Sequence, residues 1–324
     1  MIAVTGGAGF IGSVLVWKLN SLGRNDILIV DQAAKNSPKW KNVEKRAFVD
    51  YLESDAFLKA LESGAYKGKL DAVFHLGACS STTEMDTSYL RENNSLYSER
   101  VAEVCLAENI YLQYASSAAT YGDGELGFVD DDGLTPRLKP LNPYGQSKLD
   151  FDKWVLKNGH ENKLVGFRYF NVYGPNEYHK GSMRSLAEKG YEQVMKTGKL
   201  KLFKSYKKEY PDGGQKRDFV YVKDCVDAML WFWKNPSKAG IFNLGTGRAQ
   251  SWNDLAAAIF KACGKKADIE YIDMPDSIKD QYQYFTEADL TKLRAAGCPQ
   301  KFQPVEAGVA DYISNYLSKP DPIL

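Results

Sequence analysis

The first twelve residues constrain the fold more than any other stretch. "IAVT" (2–5) is a short apolar run, and "GGAGFIG" follows it at once. Gly7, Gly9 and Gly12 satisfy a G-x-G-x-x-G spacing, and Gly6, Gly9 and Gly12 satisfy G-x-x-G-x-x-G. A strand that turns through such a loop into a helix presents bare backbone and unpaired N–H groups at the positive end of the helix dipole. That combination accepts a pyrophosphate. The glycine spacing alone occurs widely. Set between a strand at 2–5 and a helix from Phe10, it points to a dinucleotide site.

The alternation continues down the chain. "DILIVD" (26–31), "DAVFHL" (71–76), "IYLQYAS" (110–116) and "LVGFRYF" (164–170) read as buried parallel strands. Segments 10–22, 86–108 and 144–158 between them are long enough for helices. This period predicts an α/β chain: a Rossmann-type doubly wound parallel sheet, followed by a smaller mixed α/β C-terminal substrate lobe. In the second half, 183–196 reads as a helix, 217–235 as a strand leading into an amphipathic helix, and 240–247 as a strand and turn. Residues 199–216 are basic, aromatic and then Pro/Gly-rich, and read as a long exposed loop or hairpin. The expected boundaries are 1–171 with 218–250 for the dinucleotide-binding domain, and 172–217 with 251–324 for the lobe.

Composition narrows the function classes. With 44% hydrophobic and 26% charged residues, the 324-residue chain can bury a sizeable core. A net charge of +1 gives no global drive toward nucleic acid or a membrane surface. No apolar run reaches the roughly 18 residues that a membrane helix needs. "MIAVTGG" enters a strand without a basic and apolar leader, so a cytoplasmic location is expected. The five cysteines show no CxxC spacing and the three histidines no ligand spacing, so no metal is expected.

Asp31 ends the second strand about 20 residues after the glycines, where an acid accepts from the adenosine ribose hydroxyls and favours NAD. Lys35, Lys39 and Lys41 follow closely and would suit a 2′-phosphate, so NAD and NADP both stay open. "LGACSS" (76–81) ends another strand with small residues that let the chain pass close to a cofactor. "NPYGQSK" holds Tyr144 and Lys148 at i and i+4, on one helix face. The nearby ammonium is expected to lower the phenol's pKa, so that Tyr144 passes a proton near neutral pH. Ser117 in "YASSAATYG" sits at a strand end, where its hydroxyl meets the same substrate oxygen.

Together the glycine loop, "ASSAATYG", "YGQSK" and "FRYFNVYGP" resemble the extended short-chain dehydrogenase/reductase superfamily. Within it, "HLGACSSTTEMD", "GFRYFNVYGPNEYHKGSM", "KRDFVYVKD", "GIFNLGTGRAQS" and "FTEADLTKLRAAG" resemble the ADP-L-glycero-D-manno-heptose 6-epimerase family over residues 1–300. The resemblance implies a homo-oligomeric epimerase acting on an ADP-heptose with NADP. It implies Ser117, Tyr144 and Lys148 as catalytic residues and Lys180 as a second acid/base. It places cofactor contacts at Gly6, Gly9, Phe10, Ile11, Gly12, Asp31, Gln32, Lys39, Leu76, Gly77, Ala78, Cys79, Ser80, Asn93, Val172, Lys148 and Lys180. Substrate contacts fall on Ser117, Asn171, Ser182, Lys189, Phe203, Arg217 and Tyr282. By spacing alone, Lys180 in "YGPNEYHKGSM" is a solvated loop lysine; the resemblance gives it its role.

Three departures stand out. The 203–216 loop is longer than the family's, Ser54 stands where a cofactor-side lysine can occur, and Lys189 stands where a histidine can occur. The implied reaction oxidises the C6″ carbinol to a ketone and reduces it again on the other face. Two proton carriers suit it, because the oxygen moves when the ketone rotates and one group cannot stay within about 3 Å of both positions. A 4,6-dehydratase would carry an acidic pair where "SSAATYG" has Ala118 and Ala119, and a non-catalytic regulator would lose Tyr144 and Lys148. A galactose-type 4-epimerase would not combine "HKGSM" with "GACSSTTE".

Overall fold

The computed structural model describes residues 1–279 and 282–324. Its centre is a sheet of seven parallel strands: β1 (Ile2–Thr5), β2 (Ile27–Val30), β3 (Asp50–Leu52), β4 (Ala72–His75), β5 (Tyr111–Ser117), β6 (Val165–Tyr169) and β10 (Gly240–Leu244). The spatial order is β10-β6-β5-β4-β1-β2-β3. Strands β1, β2, β4, β6 and β10 are buried along their whole length, as strands covered on both faces must be.

Side chains alternate between the two faces. Ile2 and Val4 join a core with helices α1 (Phe10–Ser21) and α7 (Val222–Lys234). Ala3 joins a second core with α2 (Ser54–Glu62), α4 (Tyr97–Ala107) and α5 (Pro143–Lys157). The expected helix at 86–108 is divided: α3 (Thr87–Leu90) runs into a π-helical turn, Arg91–Leu96, before α4. Helix α5 starts where the sequence predicts, because Pro143 fits its first turn and the Asn142 side chain caps the Gly145 N–H at 2.7 Å.

The remaining elements build a smaller body around a third core that includes Tyr173, Leu200, Leu202, Leu255, Ile259 and Tyr312. Strands β7 (Asn171–Tyr173), β9 (Lys216–Tyr221) and β11 (Ala249–Ser251) form one small sheet in the order β11-β9-β7. Helices α6 (Leu186–Thr197) and α8 (Trp252–Ala262) cover it. The segment 199–216 is not a loop throughout. Leu200–Phe203 forms β8, paired in parallel with β12 (Ile269–Ile272), and Leu200 and Leu202 point into the core while Lys201 is exposed. The partner lies more than sixty residues away, so no local pattern announces the pairing. Leu293, Cys298 and Leu324 return to the first core against α1 and α7.

Candidate active site

Strands β2 and β3 lie to one side of β1, and β4, β5 and β6 to the other. The chain therefore diverges between β1 and β4, and a crevice opens beyond the carboxyl ends of the strands. A cleft of about 890 Å³ fills that position. Its walls are the loop after β1, the ends of β2, β4, β5 and β6, the start of α5, the segment after β7, and residues of the smaller body.

The glycine loop is shaped by backbone contact. A Cβ on Gly12 would stand 2.2 Å from the Gly6 carbonyl oxygen, and one on Gly77 would stand 2.9 Å from the Gly6 nitrogen. Helix α1 opens at Gly9 with no side-chain cap and no acidic residue in its first turn. Its first N–H groups therefore face the cleft without a protein side chain to satisfy them, which fits the pyrophosphate of a dinucleotide cofactor. Asp31, at the end of β2, accepts from the Ala8 N–H at 3.0 Å and the Gln32 N–H at 2.7 Å. Its carboxylate also pairs with the Lys39 ammonium. The acid and the lysine that read as competing signals for NAD and NADP are thus direct partners.

Tyr144 and Lys148 project from the first turns of α5 into the cleft beside Ser117 of β5. The Ser117 hydroxyl accepts from the Ala119 N–H at 3.1 Å and lines the cleft beside the Tyr144 phenol. The Lys148 ammonium donates to the Ala115 carbonyl at 2.9 Å. Burial pushes the Lys148 ammonium down to about 8, against the opposing pull of Asp152. The expectation for Tyr144 is corrected here. Burial pushes its phenol above the ordinary value; the neighbouring Ser117 hydroxyl works the other way, and Lys148 is not among the groups that move it. Desolvation disfavours the phenolate, and the ammonium is turned to a backbone carbonyl.

Lys180 lies in a short 3₁₀ segment, Tyr178–Met183, that is kinked at Gly181, with its ammonium 5.4 Å from the centre of the Phe10 ring. Burial lowers its pKa, Glu177 opposes that shift, and Lys189 adds to it. Glu177 is fully buried; its carboxylate accepts from the Ser185 N–H and hydroxyl, both at 2.6 Å, and from the Gly174 N–H at 3.2 Å. Tyr144 and Lys180 therefore line one cleft, Lys180 over the Phe10 ring and Tyr144 at the start of α5. Helix α5 belongs to the second core and Phe10 to the first.

The other expected positions divide clearly. Phe10, Ile11, Gln32, Leu76, Ala78, Cys79, Ser80, Asn93, Asn171, Val172, Lys189, Phe203 and Tyr282 all line the cleft. Ser182 does not; it is exposed, and its carbonyl accepts from Lys189 Nζ at 3.1 Å. Arg217 is buried behind the wall, its guanidinium 5.0 Å from the Tyr282 ring centre and 5.8 Å from that of Trp252. Among the described residues no group of acidic, histidine or cysteine side chains could hold a metal.

Several residues that the sequence did not single out also shape the site. His179 lines the cleft, and burial lowers its pKa to about 4. Asn94, inside the π-helical turn, accepts from the Cys79 N–H at 2.8 Å, donates to the Cys79 carbonyl at 3.0 Å, and donates to Ser147 Oγ at 2.9 Å. It fixes the turn after β4 to helix α5. A helix turn of this rare type often marks a site wall, but no local pattern predicts it.

Such a sheet, loop and Ser/Tyr/Lys cluster define a nucleotide-cofactor enzyme of the epimerase or dehydratase kind. The chain belongs to the NAD dependent epimerase/dehydratase family, whose profile matches residues 2–245. Its relatives include the ADP-L-glycero-D-manno-heptose-6-epimerase of Nitratidesulfovibrio vulgaris strain DP4, 52% identical over 324 residues and covering 100% of both chains. The enzyme of the same name from Fusobacterium nucleatum subsp. nucleatum is 47% identical over 335 residues, again over 100% of both chains. Like these, the chain is an isomerase acting on carbohydrates. Among solved structures, Helicobacter pylori ADP-L-glycero-D-manno-heptose-6-epimerase superimposes with a TM-score of 0.79 at 27% identity, covering 97% of this chain and 95% of that one. The UDP-glucose 4-epimerase of Thermus thermophilus in complex with NAD gives 0.74 at 26% identity, covering 96% and 97%. No helix among the described residues is long and apolar enough to cross a membrane.

Proposed function

We propose that the chain converts ADP-D-glycero-D-manno-heptose to its L-glycero epimer at C6″, using NADP, for supply of heptose to the lipopolysaccharide inner core. The observation that carries this reading is the presence of two proton-bearing groups, Tyr144 and Lys180, in one cleft. The full-length identity to enzymes of that name supports the substrate class.

The glycine loop, Asp31, Lys39 and the turn 76–80 would hold the dinucleotide. When bound, its nicotinamide supplies reversible hydride acceptance, which lets a carbinol centre pass through a ketone. The chain's own groups handle the proton and the position of the oxygen. Tyr144 carries the proton at one position of the oxygen, with Ser117 beside it. Lys180, over the Phe10 ring, is the proton carrier for the other position. Lys148 anchors the end of β5 through Ala115 and holds a positive charge near the cofactor wall. Asn171, Lys189, Phe203 and Tyr282 would contact the nucleotide sugar, with Arg217 supporting the Tyr282 ring from behind.

Incubation with ADP-D-glycero-D-manno-heptose, followed by NMR at C6″, tests the proposal. Inversion without net loss of water is expected; water release, or no reaction, refutes it. Lys180→Ala is expected to lower turnover by about 10²–10⁴-fold with fold and cofactor retained.

A further inference from the structure

The segment that carries Lys180 is held at its start by a side chain with an unusual backbone. Asn176 is fully buried and adopts φ 75°. A non-glycine residue in this region costs free energy and persists only where its surroundings fix it. Here they do. Its Nδ2 donates to Ser13 Oγ at 3.0 Å, its carbonyl accepts from Asn42 Nδ2 at 3.0 Å, and its Oδ1 accepts from the Leu324 N–H at 2.9 Å.

The last of these bonds comes from residues far along the chain. Leu324 is buried in the core that includes α1, the Tyr178 hydroxyl donates to the Pro322 carbonyl at 2.8 Å, and Asp321 pairs with Lys45. Residues 321–324 thus touch positions 176 and 178, on both sides of Glu177 and within four residues of Lys180. The same Asn176 reaches Ser13 in the first turns of α1. The Ser13 hydroxyl in turn donates to the carbonyl of Phe10, whose ring lies under the Lys180 ammonium.

From these contacts we infer that residues 321–324 and Asn176 form a positioning latch for Lys180. The latch fixes the segment 176–183 against α1, so that the Lys180 amine stays over Phe10 at the cleft wall. Asn176 and Leu324 are positioning residues that act through Lys180. A displacement of about 1 Å in a proton carrier can cost about 100-fold in rate, so a loosened latch shows in turnover before it shows in binding.

The inference rests on the proposed role of Lys180. Two variants test it: a chain ended after Pro320, and Asn176→Gly, which removes the amide while suiting the positive φ. The readouts are kcat, KM, retained cofactor, and the rate of reductive methylation of the Lys180 amine by mass spectrometry. Expected are a kcat about 10- to 100-fold lower, with KM and cofactor content within about twofold, and faster methylation at Lys180, while Lys238, exposed just before β10, is unchanged. Wild-type kcat and wild-type Lys180 methylation in the shortened chain overturn the latch. Should that chain fail to fold, the same two values in Asn176→Gly overturn it. Wild-type turnover in Lys180→Ala instead sinks the role of Lys180 itself; loss in Lys180→Ala beside a fully active shortened chain sinks the latch alone.

Discussion

Arg168 of β6 sets its Nε 2.9 Å from Oδ2 of Asp152 on α5, and both side chains are closed off from solvent. The carboxylate also accepts from the Tyr114 hydroxyl at 3.0 Å and the Ser116 hydroxyl at 2.9 Å. The guanidinium reaches Tyr121 at 3.0 Å and Thr135 at 2.8 Å. A buried pair is tolerable only when its remaining donors and acceptors are matched in this way. Asp152 lies one helical turn beyond Lys148 and two beyond Tyr144, so the network bolts helix α5 to β5 and β6.

Removing one partner should therefore be severe. Asp152→Ala strands the guanidinium in the interior and is expected to cost about 3–5 kcal/mol, read from urea unfolding. A loss below about 1 kcal/mol would show that water or a rearranged neighbour replaces the carboxylate, and would remove the network as the anchor of α5.

Acid sensitivity should draw on His75 alongside His179, since burial lowers the pKa of both rings. The Ser98 hydroxyl donates to the Asn94 carbonyl and so accepts from His75 Nε2–H at 2.8 Å, which leaves Nδ1 to accept from the Thr5 hydroxyl at 2.7 Å. The ring stacks on Tyr97, and Lys148 is the charged group that faces it. Burial first, then Lys148, lowers its pKa to about 3. In the unfolded chain His75 takes up a proton below about 6.5, while the folded chain refuses it. The unfolded state thus binds more protons between those values, and stability falls as pH drops from 6.5 toward 3. At pH 5 the loss from this group is about 2 kcal/mol. His75→Gln should flatten the stability–pH curve in that window; an unchanged slope in urea titrations from about pH 7 to 5 would contradict it.

Much of this fold was legible, for identifiable reasons. Strands β1, β2, β4, β5 and β6 are largely apolar runs because helices cover both faces, and such runs need no knowledge of partners. Tyr144 and Lys148 are legible because four-residue spacing fixes a shared helix face. Strand β3 is not, since Asp50–Leu52 is a three-residue edge strand exposed or half-exposed throughout. Strand β8 is not, because its partner β12 is distant. The same limit hides the polar framework of the site. His75 depends on Thr5 seventy residues earlier, and Asn176 on Leu324, 148 residues later. Each residue is ordinary in its local context. The raised pKa of Tyr144 is hidden for a related reason. Spacing puts an ammonium on the same helix face, and only the folded chain reveals that it turns to Ala115.

The choice of cofactor should turn on the pairing of Lys39 with Asp31. In the folded protein each satisfies the other. A 2′-phosphate would draw the Lys39 ammonium away from the carboxylate, whereas an unphosphorylated ribose would leave the pair in place and use Asp31 for its hydroxyls. A hydrogen bond between charged groups contributes about 1.5–3 kcal/mol. Lys39→Ala is therefore expected to weaken NADP by about 10- to 100-fold while changing NAD affinity little. Asp31→Asn should do the reverse: it frees Lys39 for phosphate and takes one charged acceptor from the ribose. Fluorescence titration of cofactor-stripped protein with both nucleotides reads this directly. Equal losses for NAD and NADP in Lys39→Ala would mean that the lysine steadies the glycine loop through Asp31 and reads no phosphate.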